Sequence, residues 1–209
     1  MLDVNKNFEH IDCLICNSAE VMEFFSGTMN LNLVSPLKVM RCCRCGLLFL
    51  NPRPSAEARQ QIFEGLKPAG LELYLAKLAN YGAVTKSRSK LFKARVVSIS
   101  KKLLDRSPIN ALDLGSSSGE FMELAADSGW RVIGVEPSIE GVKAAKAKGL
   151  HVVQSPAEQL PFPDQSFDLV HSNHVFEHLA DPMAAAKEAY RVLKPGGVVF
   201  IEVPNQYDN

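Results

Sequence analysis

The chain has 209 residues, of which 46% are hydrophobic, so it holds enough apolar material for a folded core. The chain has 23 basic residues (Lys and Arg) and 23 acidic residues (Asp and Glu), so its net charge is zero. A dedicated nucleic-acid binder usually has an excess of basic residues, which this chain does not show. Because no apolar run approaches the roughly 20 residues that span a bilayer and the N-terminus is polar, we expect a cytoplasmic protein without membrane contact.

Two pairs of cysteines with the same spacing stand near the N-terminus, Cys13 with Cys16 and Cys42 with Cys45. A Cys-x2-Cys turn places two thiolates on one side of a metal ion, and a second such turn completes a tetrahedral shell. In a cytosolic protein, paired cysteines favour metal over disulfide. We therefore predict a structural zinc site made of these four residues. Cys43 is then a spectator thiol, although it could replace Cys42.

Other assignments of these cysteines stay open: an iron–sulfur cluster, a redox disulfide or unrelated buried thiols. Four protein ligands leave no open coordination position, so a zinc ion here would fold the module rather than catalyse. The module could also help to hold or select a substrate. A nucleic-acid-binding zinc ribbon is a third alternative, but residues 1–60 carry six basic and six acidic side chains, which gives no basic footprint.

Short strands are predicted around the second cysteine pair, where residues 33–40 and 47–50 are apolar. Two prolines within residues 51–54 then end regular structure. We assign residues 1–54 to the zinc-binding module and residues 55–85 to a helical linker.

A longer helix is predicted from about residue 87 to residue 104. Apolar side chains recur there at spacings of 4, 3 and 4 and make one face, formed by Phe92, Val96, Ile99 and Leu103. Residues 86–106 also contain eight Lys or Arg and only Asp105 as an acid. We interpret these charges as a solvated helix face, with docking of a phosphate-bearing substrate as the alternative.

After Pro108 the sequence alternates between short apolar strands and amphipathic helices. The strands are predicted at residues 111–114, 131–135, 151–154, 167–172 and 198–203, and the helices at 120–128, 139–148 and 182–193. Ser138 and Asp181 are the expected N-caps, and Gly149 ends a helix. The inner face of the last helix is predicted to carry Met183, Ala186, Tyr190 and Leu193. This alternation predicts an α/β fold with a doubly wound parallel sheet over residues 86–209.

A glycine- and serine-rich loop, Gly115-Ser-Ser-Ser-Gly119, follows the first of these strands and opens a helix. At the carboxyl edge of a sheet, such a loop lets backbone N–H groups approach a ligand closely. Glu136 lies 23 residues beyond Asp113, at the end of the next strand. A carboxylate there can accept both hydroxyls of a ribose. We favour this role for Glu136 over that of a solvated strand-end acid.

The glycine fingerprint of nicotinamide enzymes is not met in this loop. Gly-x-Gly-x-x-Gly, counted from Gly115, would place glycines at the positions that Ser117 and Glu120 occupy. A dehydrogenase is therefore disfavoured.

Four motifs in order resemble those of class I S-adenosylmethionine-dependent methyltransferases. They lie at residues 113–119, 157–170, 175–182 and 191–197. The cysteine pairs, with residues 41–54, resemble the zinc module fused to one branch of that family, which includes sugar C-methyltransferases acting on nucleotide-linked deoxysugars. The resemblance implies S-adenosylmethionine as cofactor and a small-molecule methyl acceptor. The alternatives are another nucleotide-cofactor enzyme, and a zinc-ribbon interaction protein whose Rossmann-like part only binds.

The resemblance also implies which residues bind the cofactor. They are Asp113, Gly115, Ser116, Ser117, Gly119, Glu136, Pro137, Ala157, Glu158, Asn173 and His174. The glycine loop would line the methionine moiety, with Asp113 on its amino side and Glu136 on the ribose. Pro137, Ala157 and Glu158 would border the adenine, and Asn173 and His174 would lie near the sulfonium. Two positions depart from the family pattern: Ser117 replaces its middle glycine, and Pro156 replaces an acid that often precedes the position of Ala157.

A carbon or hydroxyl acceptor would also need a base. Glu177 and His178 are the candidate catalytic residues, because a histidine has a pKa suited to this work. A histidine in a loop before a helix is also often structural. His171 and His174 are weaker candidates. The family sheet usually has seven strands and this chain ends after the fifth, so we expect the domain to lack the last two. The acceptor and the oligomeric state are not predicted.

Overall fold

A computed structural model of the chain describes residues 4–25, 38–63, 85–103 and 105–204. The chain divides into two compact units, Met1–Ala83 and Val84–Asn209. Among the helices of the described segments, none is both long enough and apolar enough to cross a membrane.

The first unit is built from short antiparallel strands. They are β1 (Phe8–Glu9), β2 (Val21–Phe25), β3 (Val39–Cys42), β4 (Leu48–Leu50) and β5 (Arg53–Pro54), with a 3-10 turn at Val4–Asn7 and helix α1 (Ala56–Phe63). β2, β3 and β4 form one sheet in that order, and β1 pairs with β5. The predicted strand at residues 47–50 corresponds to β4, and the one at residues 33–40 overlaps the start of β3, although its residues 33–37 lie outside the described residues. β2 was not predicted. Residues 64–84 of the predicted linker lie outside the described residues.

Few apolar side chains are buried in the described part of this first unit. The fully buried ones are Cys13, Cys42 and Ala58. Polar contacts supplement them, since the Asn51 amide donates to Ile11 O at 3.0 Å and accepts from Ile11 N at 3.1 Å. A unit with so small an apolar core needs another source of stability.

The second unit is a doubly wound α/β domain, which confirms the predicted fold class. Its strands are β6 (Asn110–Leu114), β7 (Arg131–Val135), β8 (Val152–Val153), β9 (Phe167–Asn173) and β10 (Leu193–Glu202), and its helices are α2 (Thr85–Lys102), α3 (Glu120–Asp127), α4 (Ile139–Ala147) and α5 (Pro182–Val192). The five strands are parallel and lie in the order β10-β9-β6-β7-β8. β7 and β8 are added on one side of β6, and β9 and β10 are then added on its other side. The switch point of the sheet therefore lies at the carboxyl end of β6.

Apolar side chains cover both faces of this sheet. The predicted face of α2, formed by Phe92, Val96, Ile99 and Leu103, is buried with Phe121 and Trp130 on one side of the sheet. Leu112, Leu114 and Val170 pack with α5 on the other side. Because successive strand residues point to opposite faces, one short strand contributes to both cores.

Helix α5 begins as predicted but presents a different face. The Asp181 carboxylate accepts from Ala184 N at 2.9 Å, which confirms the predicted cap. The buried residues are Ala185, Ala189 and Val192, whereas Tyr190, predicted to face inward, is 83% exposed. Both rows follow the helical period. The small alanines let the helix approach the sheet closely, and the tyrosine hydroxyl remains in water.

The last strand is also longer than predicted. β10 begins at Leu193 rather than at the predicted residue 198, and its pairing with β9 shifts register between Leu193 and Val198. Gly196 has a φ of 73° at this irregularity, a conformation that other residues rarely adopt.

Candidate functional site

The loop after β6 is tied to the neighbouring strand β7. Gly115 N and Ser116 N both donate to Val135 O, at 2.8 and 3.1 Å. Gly119 and Ser117 have φ values of 83° and 49°. Ser117, which stands where the family has a glycine, therefore adopts the left-handed conformation that favours glycine.

Glu136 lies directly beside this loop. Its carboxylate accepts hydrogen bonds from Ser117 N at 2.8 Å and from Ser138 N at 2.9 Å. Burial raises the pKa of this carboxyl, the two N–H donors oppose the rise, and the nearby charge of Asp113 adds to it. The acid at the end of β7 is thus fixed between the loop and the start of α4.

A small cavity opens at the carboxyl edge of the sheet, next to the loop. It is lined by Phe92, Asp113, Gly115, Ser116, Ser117, Ser118, Glu120, Phe121, His171 and Asn173. Five of the predicted cofactor residues, Asp113, Gly115, Ser116, Ser117 and Asn173, are therefore brought together. Its volume of about 90 Å³ accommodates the end of a ligand, so the rest of a bound ligand would lie over the open edge.

A larger cavity of about 500 Å³ lies at the opposite edge of the same sheet, near Asn110, Arg131 and Phe167. These residues begin their strands. Ligands of parallel sheets bind outside the carboxyl ends of the strands, at the switch point. The smaller cavity is therefore the candidate functional site.

The predicted adenine residues lie apart from this cavity. Glu158 Oε1 accepts from Ala180 N at 3.1 Å and Asp181 N at 3.4 Å, so this side chain fixes the start of α5. Ala157 is buried in the core on that face of the sheet. Pro137 O accepts from Gln154 Nε2 at 3.2 Å. The described residues that line the small cavity do not include Pro137, Ala157 or Glu158.

The candidate catalytic residues form a cluster just after β9. Glu177 Oε1 lies 3.4 Å from His174 Nδ1 and 3.7 Å from His178 Nε2. Burial lowers the pKa of His178, Glu177 opposes that change, and the charge of His174 adds to it. A histidine with a lowered pKa is neutral at pH 7 and able to accept a proton.

A buried polar chain reaches Asp113 from behind the cavity. His171 Nδ1 lies 2.7 Å from Asp113 Oδ1, and Arg95 Nη1 lies 3.1 Å from His171 Nε2. Arg95 also donates to Asn173 Oδ1 at 3.1 Å and to Glu202 Oε2. Sequence reasoning placed Arg95 on a solvated face, but the residue is 8% exposed. The sequence did contain a signal for the burial of Arg95. This residue lies three positions after Phe92 and four before Ile99, and both of these lie on the buried face of the helix.

The four predicted zinc ligands meet in the first unit. The Sγ atoms of Cys13, Cys16, Cys42 and Cys45 lie within 4.8 Å of one another. Tetrahedral zinc with Zn–S bonds of about 2.3 Å requires sulfur–sulfur distances of about 3.8 Å, and the 3.4 Å between Cys13 and Cys45 is near that value. The cluster contains Cys42 and not Cys43, which is exposed.

The two cysteine turns share one backbone geometry. Asn17 N donates to Cys13 O at 2.9 Å, and Gly46 N donates to Cys42 O at 3.0 Å. Asn17 and Gly46 both have positive φ values, 53° and 78°. N–H groups of Cys45 and Arg44 lower the pKa of the Cys42 thiol to about 6, whereas burial raises the pKa of the Cys16 thiol to about 12. These matched turns and the close sulfurs fit a four-thiolate metal site.

The comparison with protein families matches part of the chain. Residues 112–201 match the family described as a methyltransferase domain. An uncharacterized methyltransferase of Mycobacterium leprae is 40% identical over 94 residues, 43% of this chain and 35% of that protein. A "Probable S-adenosylmethionine-dependent methyltransferase" of Mycolicibacterium smegmatis is 35% identical over 100 residues, 46% of this chain and 38% of that protein.

The chain is also similar to one relative over a longer stretch and to a solved structure. An uncharacterized protein encoded in a transposon of Streptomyces fradiae is 32% identical over 154 residues, 69% of this chain and 42% of that protein. A solved structure from Pyrococcus horikoshii is similar with a TM-score of 0.50 and 26% identity, over 57% of this chain and 58% of that one. The chain spans less than half the length of these three curated relatives. Over residues 112–201 the chain is therefore similar to methyltransferase domains, including that of a relative named as S-adenosylmethionine-dependent.

Proposed function

We propose that this chain binds S-adenosylmethionine at the carboxyl edge of its sheet and transfers the methyl group to a small-molecule acceptor. One observation carries the proposal: the buried carboxylate of Glu136 is held against Ser117 of the glycine loop, at the switch point of a parallel sheet. This is the arrangement that binds the ribose of an adenosine cofactor beside a backbone cradle. The methyltransferase match over residues 112–201 supports the same assignment.

We propose a separate role in cofactor binding for each of these residues. Glu136 would accept the ribose hydroxyls, and Asp113 would face the amino end of the methionine moiety. Asn173 and His174, at the end of β9, would lie near the sulfonium. Pro137, Ala157 and Glu158 would border the adenine.

When bound, S-adenosylmethionine supplies a methyl group activated by its sulfonium. The protein then has to position the acceptor atom in line with that group and exclude water. We propose His178 as the base for a carbon or hydroxyl acceptor, since burial keeps it neutral, and Glu177 as the group that orients the imidazole. An amine or thiol acceptor would need neither residue for proton removal.

For the acceptor, we propose a nucleotide-linked sugar. The support is the resemblance of residues 1–54 to the zinc module of the sugar C-methyltransferase branch, together with the clustered cysteines. A screen of acceptors with product mass measurement tests this proposal, and methylation of an unrelated acceptor class alone would contradict it. In that screen, His178→Gln should lower turnover of a carbon or hydroxyl acceptor without changing cofactor affinity.

For the first unit, we propose a structural zinc ion bound by Cys13, Cys16, Cys42 and Cys45. The close sulfur atoms and the matched turns support it. We further propose that residues 1–54 form the zinc module, that 55–85 link it, and that 86–209 form the methyltransferase domain.

The cofactor assignment is tested by calorimetry with S-adenosylmethionine and with NADH. We expect binding of the former only. Glu136→Ala should weaken it by on the order of 1–3 kcal/mol, because the variant removes a polar contact from a buried site. Glu140→Ala is the matched control, since Glu140 is exposed on the next helix and carries the same charge. Unchanged affinity in Glu136→Ala, or equal losses in both variants, would contradict the ribose role.

A further inference from the structure

The register of three neighbouring strands, β6, β9 and β10, places the residues of this hydrogen-bonded chain in adjacent rows. Asp113 of β6, His171 of β9 and Phe200 of β10 lie side by side. Two residues further along the same strands, Asn173 of β9 is paired with Glu202 of β10. Residues at matched positions of neighbouring strands point to the same face of the sheet. The side chain of Arg95, on α2, therefore contacts residues that share one face of the sheet.

The hydrogen bonds determine which nitrogen of His171 carries the proton. A guanidinium has donors and no acceptor, so Arg95 Nη1 must donate to His171 Nε2. Nε2 thus uses its lone pair, and the proton lies on Nδ1, which donates to Asp113 Oδ1 at 2.7 Å. In this arrangement the imidazole is neutral and orients the carboxylate.

Aromatic rings hold this imidazole in place. The His171 ring stacks on Phe121 with centroids 3.6 Å apart and lies 5.6 Å from Phe200, nearly parallel to both rings. His171 is fully buried, and the Arg95 guanidinium lies over Phe92 and Phe200. The rings leave the imidazole little freedom to turn, so its two nitrogens stay directed at Arg95 and Asp113.

Two acidic residues, Asp113 and Glu120, line the cavity, and the hydrogen bonds from Arg95 through His171 end at Asp113. Arg95 is paired with Glu202, and His171 is neutral, so the charge of Asp113 is not cancelled by either. A cationic group of a ligand is the natural partner for such a carboxylate. The amino end of the methyl donor carries an ammonium, and the donor also carries a positive sulfonium.

We propose that Arg95 and His171 are positioning residues, which hold the carboxylate of Asp113 directed at the cationic end of the methyl donor. The inference rests on the proposed binding of S-adenosylmethionine at this loop. Arg95 occupies Nε2 of His171 and so prevents its protonation. Without Arg95, an imidazolium can form beside Asp113 and compete with the ligand for the carboxylate.

The pH dependence of binding therefore distinguishes this role from a purely structural one. The charged groups around His171 are Asp113 from β6, Arg95 from α2, Glu202 from β10 and, lining the same cavity, Glu120 from α3. Carboxylates ordinarily titrate near pH 4, below the range in which a histidine does. Glu136, whose pKa is raised, is present in every variant compared, so its titration is common to all curves.

The experiment is calorimetric titration of the full chain with S-adenosylmethionine between pH 5.5 and pH 8. As the pH is lowered from 8 to 5.5, we expect the affinity of Arg95→Met to fall by about tenfold more than that of the wild type. The reason is that a free imidazole becomes protonated over this range. Arg95→Lys, which keeps a cationic donor, should restore the wild-type profile. Lys93→Met is the matched control, since it removes an exposed positive charge from the same helix.

A second measurement requires no ligand. Long-range ¹H–¹⁵N NMR of the wild type should show His171 as the neutral Nδ1–H tautomer from pH 5.5 to pH 8, with His171→Asn assigning the signal by its loss. An ordinary titration of His171 would overturn the inference, as would parallel affinity curves for Arg95→Met and the wild type. If Arg95→Met fails to fold, the NMR result still decides. If the wild type binds no S-adenosylmethionine, the proposed function fails while the NMR measurement tests the Arg95–His171–Asp113 contacts separately.

Discussion

Asp168 is a buried carboxylate at the start of β9 on which several donors converge. Asn110 donates from its backbone N at 3.0 Å and from its side chain at 3.1 Å, and Lys194 Nζ lies 3.1 Å away. Arg106 Nη1 adds a longer contact of 3.4 Å. Burial alone would raise the pKa of Asp168, but the bonds from Asn110 and Lys194 outweigh it, so the pKa is lowered. This carboxylate thus joins the beginnings of β6, β9 and β10.

We expect Asp168→Asn to lower the free energy of unfolding at pH 7 by about 2 kcal/mol, because the half-buried Lys194 and Arg106 lose their ionic partner. A lowered pKa means that this stabilisation is present above the unfolded pKa of about 3.9 and disappears as pH falls through the folded value. The difference from the wild type should therefore shrink at pH 3. Urea unfolding at both pH values measures it, with exposed Asp105→Asn as control. A difference independent of pH would contradict the ionic role.

Single residues were predictable where a local motif defines them. Asp113 and Glu136 follow from their strands and from the loop between them, and the structure places both beside that loop. Arg95 was not predicted to be buried, because the residues around it in the sequence are basic. Its partner Glu202 lies 107 residues away, and no local pattern records such a contact.

At the scale of elements, the glycine loop depends on how closely it approaches β7. A Cβ atom on Gly134 of β7 would lie 2.5 Å from Ser116 Oγ and 2.7 Å from Met122 Sδ. Both distances are shorter than any ordinary contact. The absence of a side chain at Gly134 therefore lets the loop lie directly over the strand whose last carbonyl, Val135 O, holds it.

Gly134→Ala should consequently destabilise the protein by roughly 1–3 kcal/mol through overpacking, and should also weaken cofactor binding because Ser116 must move. Gly149→Ala is the comparison: its φ of 78° strains an alanine, but a Cβ there meets nothing within 4 Å. That variant should lose about 1–2 kcal/mol of stability and keep its affinity. Urea unfolding and calorimetry measure both. Equal affinities for the two variants would show that the close approach does not shape the site.

The starts of α4 and α5 were predictable because side-chain caps mark them. The Ser138 hydroxyl accepts from Gly141 N at 3.3 Å, and Asp181 caps α5 in the same manner. Which face of α5 is buried was not predictable, since periodicity permits two adjacent rows and the sheet selects the alanine row. β2 was missed because its pairing with β3 depends on residues distant in sequence.

At the scale of the whole molecule, the two compact units contain different kinds of core. The second unit has apolar clusters on both faces of its sheet. In the described part of the first unit, the buried apolar side chains are few: Cys13, Cys42, Ala58 and the prolines Pro52 and Pro54. Such a unit depends on metal binding for most of its folding free energy if a metal is bound. The sequence predicted the cluster from its spacing, but the choice between Cys42 and Cys43 required the geometry of the turns.

The last prediction concerns that choice. The full chain should contain about one zinc per molecule, and Cys42→Ser should lower this content strongly, because a hydroxyl is a poor replacement for a thiolate ligand. Cys43→Ser is the matched control, since it changes the adjacent exposed thiol that lies outside the cluster. Metal analysis by mass spectrometry measures the content, and hydrogen exchange should show loss of protection in β3 and β4 after chelation. Equal zinc loss in both variants would contradict the assignment of Cys42, and iron in place of zinc would contradict that of the metal.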